Sequence, residues 1–241
     1  MRQIVEEIYE PEYVRRLFNE MAETYGVVNL VSSFGFAALW RKRCLQQVEF
    51  LSGMSVIDLM TGMGELLPDI SRHVGSLGDI RAIDLSPVMC RKAREMMAKR
   101  KISGRIIECD ALNKPMESET ADIVISSFGL KTFSENQRQV LARNILTMLK
   151  PGGRFSLIEI SVPPSLVLRY PYMFYLKSII PLVGRIFMGN PENYRMLGIY
   201  TDAFRNCEQF SKELNRIGLV ASSTSHFFGC ATGVIGYKPI T

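Results

Sequence analysis

The chain has 241 residues, enough for one α/β domain with a full core and a sizeable insertion. Its hydrophobic content of 47% and charged content of 22% are ordinary for a globular protein and exclude a disordered or membrane-embedded chain. The net charge of +5 is mild and contains no run of five like charges, so nucleic acid is not an expected partner.

Residues 11–31 carry Val14, Leu17, Phe18, Met21 and Tyr25 at helical spacing, and a second amphipathic stretch runs from Phe36 to Phe50. Both precede the first strand, so residues 1–52 form a helical cap. Strand Val56–Leu59 then runs into Thr61-Gly62-Met63-Gly64 and a helix over Glu65–His73. Strand Ile80–Ile83 ends at Asp84, and Ser86-Pro87 starts a helix over Val88–Lys99. Strand Arg105–Cys109 ends at Asp110. Strand Asp122–Ser126 follows, then helix Glu135–Leu149, which stops at Pro151-Gly152-Gly153 before strand Arg154–Ile160. Strands alternating with helices predict a doubly wound, mostly parallel sheet.

After Pro163-Pro164 the alternation stops, and residues 161–202 read as a helical lid inserted after the fifth strand. Helix Ala203–Ile217 follows. Runs Leu219–His226 and Thr232–Lys238 then form an antiparallel hairpin at the sheet edge. The apolar stretch Leu166–Met188 is interrupted by Arg169, Lys177 and Arg185, so it is not expected to span a bilayer. With its cations it suits either an anionic lipid surface or a lid that excludes water from an aromatic substrate; the second reading is preferred.

Five cysteines without a CxxC predict free thiols in a reducing compartment, hence a cytoplasmic protein. The N-terminus, with Arg2, Glu6, Glu7 and Glu10, does not read as a signal peptide. With only two histidines, a histidine-built metal site is not expected.

The glycine turn asks for a ligand that hugs the backbone. A dinucleotide needs GxGxxG, but the third glycine position holds Leu67, and Glu65 at the helix start repels a pyrophosphate. S-adenosylmethionine has no phosphate, and it suits residues 53–160. Gly62 and Gly64 make the turn. Asp84, about twenty residues on, accepts hydrogen bonds from the ribose hydroxyls. Asp110 faces the adenine amine, and Ser126-Ser127 stands beside the methyl group. Taken singly, each has a plainer reading as a tight turn or a helix cap.

The blocks "MAETYGVVNLVSSFGFAALWRK", "VIDLMTGMGE", "IDLSPVMCRKARE", "ISSFGLKTF", "LKPGGRFSLIEIS" and "IIPLVGRIFMGNPENYRML" occur in that order. Together they resemble the ubiquinone/menaquinone biosynthesis C-methyltransferases from about Tyr13 to Lys238. The resemblance implies a class I, Rossmann-like methyltransferase fold. It also implies cofactor contacts at Met63, Asp84, Asp110, Ala111 and Ser127, and an aromatic or quinone-like acceptor. Several family residues differ: Lys131 replaces an arginine, Thr132 an asparagine, Val234 and Ala37 histidines, and an aspartate is lost after Tyr25. These departures imply poor methylation of demethylated menaquinone or ubiquinone precursors and a preference for a smaller or differently substituted aromatic.

Three residues are catalytic candidates. Lys131 is a cation for a phenolate or a solvated loop lysine. His226 is a general base or a structural histidine. Tyr25 is a pocket residue or a core aromatic. Tyr194 and Tyr200 are candidates to face substrate. O- or N-methylation of a natural product, a non-catalytic assembly role, peripheral membrane contact and a homodimer all stay open.

Overall fold

The computed structural model describes residues 7–113 and 117–240. The first six residues of the expected cap lie outside this range. Helices α1 (Pro11–Met21), α2 (Tyr25–Ser32) and α3 (Phe36–Gln46) come first. The single helix expected over 11–31 is two. The chain turns at residues 22–24, where the Thr24 hydroxyl lies 2.8 Å from the Tyr194 hydroxyl. A contact made across the fold overrides a continuous helical pattern there.

The alternating segment follows as β1 (Ser55–Leu59), α4 (Leu67–Val74), β2 (Asp79–Asp84), α5 (Pro87–Arg100), β3 (Arg105–Glu108), β4 (Ala121–Ser127), α6 (Glu135–Met148) and β5 (Leu149–Ile160). The helix starts are chemically set. The Ser86 hydroxyl accepts from Met89 N at 3.1 Å, with Pro87 in the first turn, and Ser134 and Gln137 form a reciprocal capping box. Beyond β5 come α7 (Leu166–Phe174), a π-helical turn over Tyr175–Ile179, α8 (Ile180–Ile186), α9 (Pro191–Phe204) and α10 (Glu208–Arg216). Strands β6 (Val220–His226) and β7 (Ala231–Tyr237) close the chain.

The seven strands lie in the order β3-β2-β1-β4-β5-β7-β6. All pairs from β3 to β5 are parallel, and β7 is antiparallel to both β5 and β6. Alternate residues face opposite layers. Ile57, Val124, Phe155 and Leu157 pack with α6 and α10, whereas Val56, Ile123, Ile125 and Ile158 pack with α3 and α4. A smaller cluster of Leu17, Met21, Val28, Tyr194 and Tyr200 joins the N-terminal helices to α9. No helix among the described residues is long and apolar enough to cross a membrane.

Two local expectations are corrected. Pro151-Gly152-Gly153 ends α6 but does not delay the strand. Leu149 pairs with Ala121, the register then shifts, and Gly152 N donates to Lys238 O at 2.8 Å. The helix expected to begin at Ala203 begins at Glu208, because Arg205, at φ +66°, ends α9, and Val162 N donates to its carbonyl at 2.7 Å.

Candidate active site

The strand order reverses between β1 and β4, and open α/β sheets leave a crevice at such a point. Here that crevice is a cleft of about 860 Å³, open to solvent. Its floor is the set of strand-end turns: Met60–Gly62 after β1, Asp84–Ser86 after β2, Cys109–Leu112 after β3 and Ser127–Gly129 after β4. The N-terminal segment roofs it through Tyr9, Phe18, Tyr25 and Arg41.

Asp84 is held by the turns themselves. Its Oδ2 accepts from Gly62 N at 2.8 Å and its Oδ1 from Ser86 N at 2.9 Å. Gly62 has φ +60°, so a glycine fits the turn that aims its N–H at the carboxylate. Asp110 accepts from Leu112 N at 2.8 Å and from the Asn113 amide at 3.0 Å. Each carboxylate is thus fixed by neighbours and still lines the cleft. Two arginines line the cleft, and both are already paired, Arg15 with Glu12 and Arg41 with Glu65 at 2.9 Å. Fixed carboxylates on an apolar floor without a spare cation suit a nucleoside with a positive centre better than a phosphate.

Burial pushes the Asp84 carboxyl up to about 6, with Glu65 adding to the effect and the backbone hydrogen bonds opposing it. The raised value has a definite sign. The native state favours the protonated acid, so this group's contribution to stability is present below about pH 4 and is lost as pH rises through about 6. If Asp84 accepts from ribose hydroxyls, as the sequence leads one to expect, ligand binding has the opposite dependence, because the ionised carboxylate is the stronger acceptor. Cofactor affinity is therefore expected to fall about tenfold from pH 7 to pH 5. Calorimetry across that range checks it; a flat profile, or an equal step in Asp84→Asn, contradicts it.

The structure brings Gly62, Asp84, Asp110, Ala111, Ser127 and Tyr25 together around the cleft. Met63 and Gly64 belong to the turn but not to the cleft wall. The Met63 Cε lies 3.0 Å from where a Cβ on Gly26 would sit, and a Cβ on Gly64 would stand 2.7 Å from Met96 Cε. Gly64 therefore serves close packing on α5. Glu65 precedes α4 rather than opening it.

Lys131 is not a free cation. It is 3% exposed, its Nζ donates to Glu159 Oε1 at 2.6 Å and to Phe128 O at 3.1 Å, and Glu159 is fully buried. His226 ends the edge strand β6 beside Gln47 and Thr224 and lines neither cavity described here. Burial and Arg43 lower its pKa, which disfavours the charged ring. Tyr200 is fully buried, and its hydroxyl donates to Ile8 O, so it fastens the N-terminal segment rather than facing substrate. Val234 is a core residue opposite Leu157, so its departure from the family pattern does not touch an acceptor. Thr132 lines the cleft with its hydroxyl donating to Gly129 O at 2.7 Å.

Tyr194 lines a second cavity of about 520 Å³ beneath the lid. Val28, Ile160, Leu176, Ile180 and Leu197 give it apolar walls, and Lys131 reaches its edge. It shares Tyr25 and Phe128 with the cleft. Phe128 is held at φ +67°, an uncommon backbone conformation for an aromatic residue, by its N–H bond to Ile158 O at 2.9 Å.

Two features escaped the sequence reading. Asp58 is buried inside β1, accepts from the Thr61 hydroxyl at 2.6 Å and leaves its Oδ1 without a partner; burial pushes it up to about 7. The signal was a carboxylate in a strand read as wholly buried. The Arg41–Glu65 pair, with Arg41 also over the Phe128 ring at 5.2 Å, joins α3 to the glycine turn, and no local pattern announces it.

The sheet order and the cleft define a class I methyltransferase. Residues 6–238 match the ubiE/COQ5 methyltransferase family, and the chain belongs to that family. The ubiquinone/menaquinone biosynthesis C-methyltransferase UbiE of Idiomarina loihiensis is 32% identical over 186 residues, which is 76% of this chain and 73% of the relative. A demethylmenaquinone methyltransferase of Desulfitobacterium hafniense is 29% identical over 94% of this chain and 90% of its own. Among solved structures, a SAM-dependent methyltransferase from Aquifex aeolicus is similar at TM-score 0.58, with 20% identity over 83% of this chain and 89% of that one. Phosphoethanolamine N-methyltransferase 2 of Haemonchus contortus, in complex with S-adenosyl-L-methionine, is similar at TM-score 0.60, with 14% identity over 92% of this chain and 60% of that one. The protein is a methyltransferase, and S-adenosyl-L-methionine is its cofactor.

Proposed function

We infer that the protein methylates a ring carbon of a hydroxylated, quinone-like aromatic that carries an apolar substituent. The observation that carries this reading is the apolar second cavity, which meets the cleft at Tyr25 and Phe128. A ring at that junction reaches the cofactor cleft while its substituent lies among Val28, Leu176 and Ile180. The curated relatives are named for quinone methylation, which agrees with such an acceptor.

Gly62, Asp84, Asp110, Ala111 and Ser127 are assigned to hold the cofactor. When bound, it supplies a methyl group made electrophilic by positive sulfur. The protein's part is then mostly positioning, which can supply roughly 7–11 kcal/mol of the barrier. Residues 7–52 and 161–202 cover the site and exclude water, and the strand-end turns between β1 and β5 carry the cofactor groups. Burial raises the Tyr25 phenol above its ordinary value, so it stays protonated and donates a hydrogen bond to a ring oxygen rather than acting as a base.

A comparison of two acceptors tests the reading: a demethylated hydroquinone with one isoprene unit and the same ring without it. Burying five carbons is worth up to ~4 kcal/mol before ordering costs, so kcat/KM is expected to rise about a hundredfold with the chain. Nuclear magnetic resonance of the product is expected to show a methyl group on carbon. Equal kcat/KM values, or a methyl group on oxygen, count against the proposal.

A further inference from the structure

We propose that the outer face of the lid, with the end of α2 and the tip of the β6–β7 hairpin, docks on an anionic phospholipid bilayer.

The helical run over 166–186 is apolar on two sides. Its inner side places Leu176 and Ile180 in the second cavity. Its outer side exposes Leu166, Tyr170, Phe174, Ser178, Leu182 and Ile186, one residue in every four. In an α-helix, four residues overshoot one turn by about 40°, so such a stripe drifts around the axis. The π-helical turn over Tyr175–Ile179 takes more residues per turn and so reduces this drift. Val167, beside the stripe, is 87% exposed.

Two other elements extend this face. Phe34, 79% exposed after α2, has its ring 6.2 Å from Tyr175. Phe228, 77% exposed at the hairpin tip, lies 5.6 Å from Phe227, which is itself 4.5 Å from Phe36. Both tip phenylalanines have positive φ. Contiguous exposed apolar surface of this kind marks an interaction site rather than scattered surface residues.

The charge pattern selects the occupant. Residues 24–48, 160–191 and 214–241, which supply all of this surface, hold eight of the 29 Lys and Arg and none of the 24 Asp and Glu. These stretches therefore carry +8, and the rest of the chain −3. Four of the eight are paired with carboxylates, Arg41 with Glu65, Lys177 with Asp202, Arg216 with Glu213 and Lys238 with Glu119, and the last two stand at the end of the β6–β7 pair away from its tip. On the lid helix Arg185 is exposed, and Arg169 donates only to the carbonyls of Pro163 and Pro164, so its charge is not cancelled. Apolar side chains beside Arg169 and Arg185, which pair with no carboxylate among the described residues, match the interface of an anionic bilayer, where lipid headgroups attract the cations and the acyl boundary takes the rings. A second copy of this face would bring like charges together.

The proposal stands apart from the choice of acceptor, because lipid binding is read without methyl transfer. Flotation with vesicles of equal parts phosphatidylglycerol and phosphatidylcholine is compared with flotation on phosphatidylcholine alone. Binding is expected to be at least about tenfold stronger on the anionic vesicles and to weaken with added salt. The double variant Val167→Glu/Phe174→Glu, altered only at exposed positions, is expected to lose at least tenfold in partitioning while keeping its melting temperature. Phe34→Ser, on a separate element, is expected to lose binding in the same direction and serves if the double variant does not fold. Failure of the wild-type protein to bind anionic vesicles, or equal binding by the variants, overturns the proposal. So does a dimer in solution that these variants dissociate, which would assign the face to a second copy.

Discussion

Asp84→Asn is expected to weaken S-adenosylmethionine binding by about ten- to a hundredfold. Asp84 lines the cleft at the end of β2, with its two oxygens aligned by Gly62 N and Ser86 N. A hydrogen bond to a charged acceptor is worth ~1.5–3 kcal/mol, which converts to that range in Kd. Asparagine is the sharper choice than alanine. Alanine leaves two backbone N–H groups without their acceptor and damages the turn itself, whereas the amide keeps one oxygen and removes the charge. The melting temperature separates a binding defect from a folding defect. Unchanged calorimetric affinity in a folded variant contradicts the assignment of Asp84 to the ribose.

The second large effect is on stability. Lys131→Met is expected to destabilise the protein by about 3–5 kcal/mol, because it leaves the Glu159 carboxylate buried without its partner. The side chains are 4% and 0% exposed, and Nζ to Oε1 is 2.6 Å. For a chain of this size the loss lowers Tm by about 6–20 °C. Adding Glu159→Gln to Lys131→Met is expected to restore part of it, since the neutral amide removes the unpaired buried charge and its one oxygen keeps one of the two backbone bonds that Glu159 now makes through separate oxygens, from residue 131 N at 3.0 Å and from Ile160 N at 2.8 Å. A free catalytic lysine predicts the reverse, with Tm unchanged and turnover lost. Differential scanning calorimetry of the three proteins distinguishes them.

The two variants also show what the sequence could reveal. Asp84, Asp110 and Gly62 were legible because strand-end geometry places them. A parallel sheet read from buried four- to six-residue runs fixes which residues stand at the carboxyl edge, whatever packs above it. Lys131 was not legible, because its partner is 28 residues away on β5 and nothing local distinguishes a paired lysine from a free one. Tyr200 and His226 fall in the same class, since each is defined by a contact far along the chain. Local breakers misled where long-range hydrogen bonds overrode them. Pro151-Gly152-Gly153 stays in the sheet through Lys238. The second cavity was invisible for the same reason: α2, α8 and α9 meet only in the folded chain.

The most direct test of the account is the fate of the methyl group. The protein is incubated with S-adenosylmethionine carrying a carbon-13 methyl group and a small-molecule extract, and the products are resolved by mass spectrometry and nuclear magnetic resonance. The account predicts one aromatic product whose label is bound to ring carbon, formed in equal amount with S-adenosylhomocysteine and lost in step with cofactor binding in Asp84→Asn. Label on oxygen or nitrogen, or no labelled small molecule from protein that binds the cofactor, would contradict it.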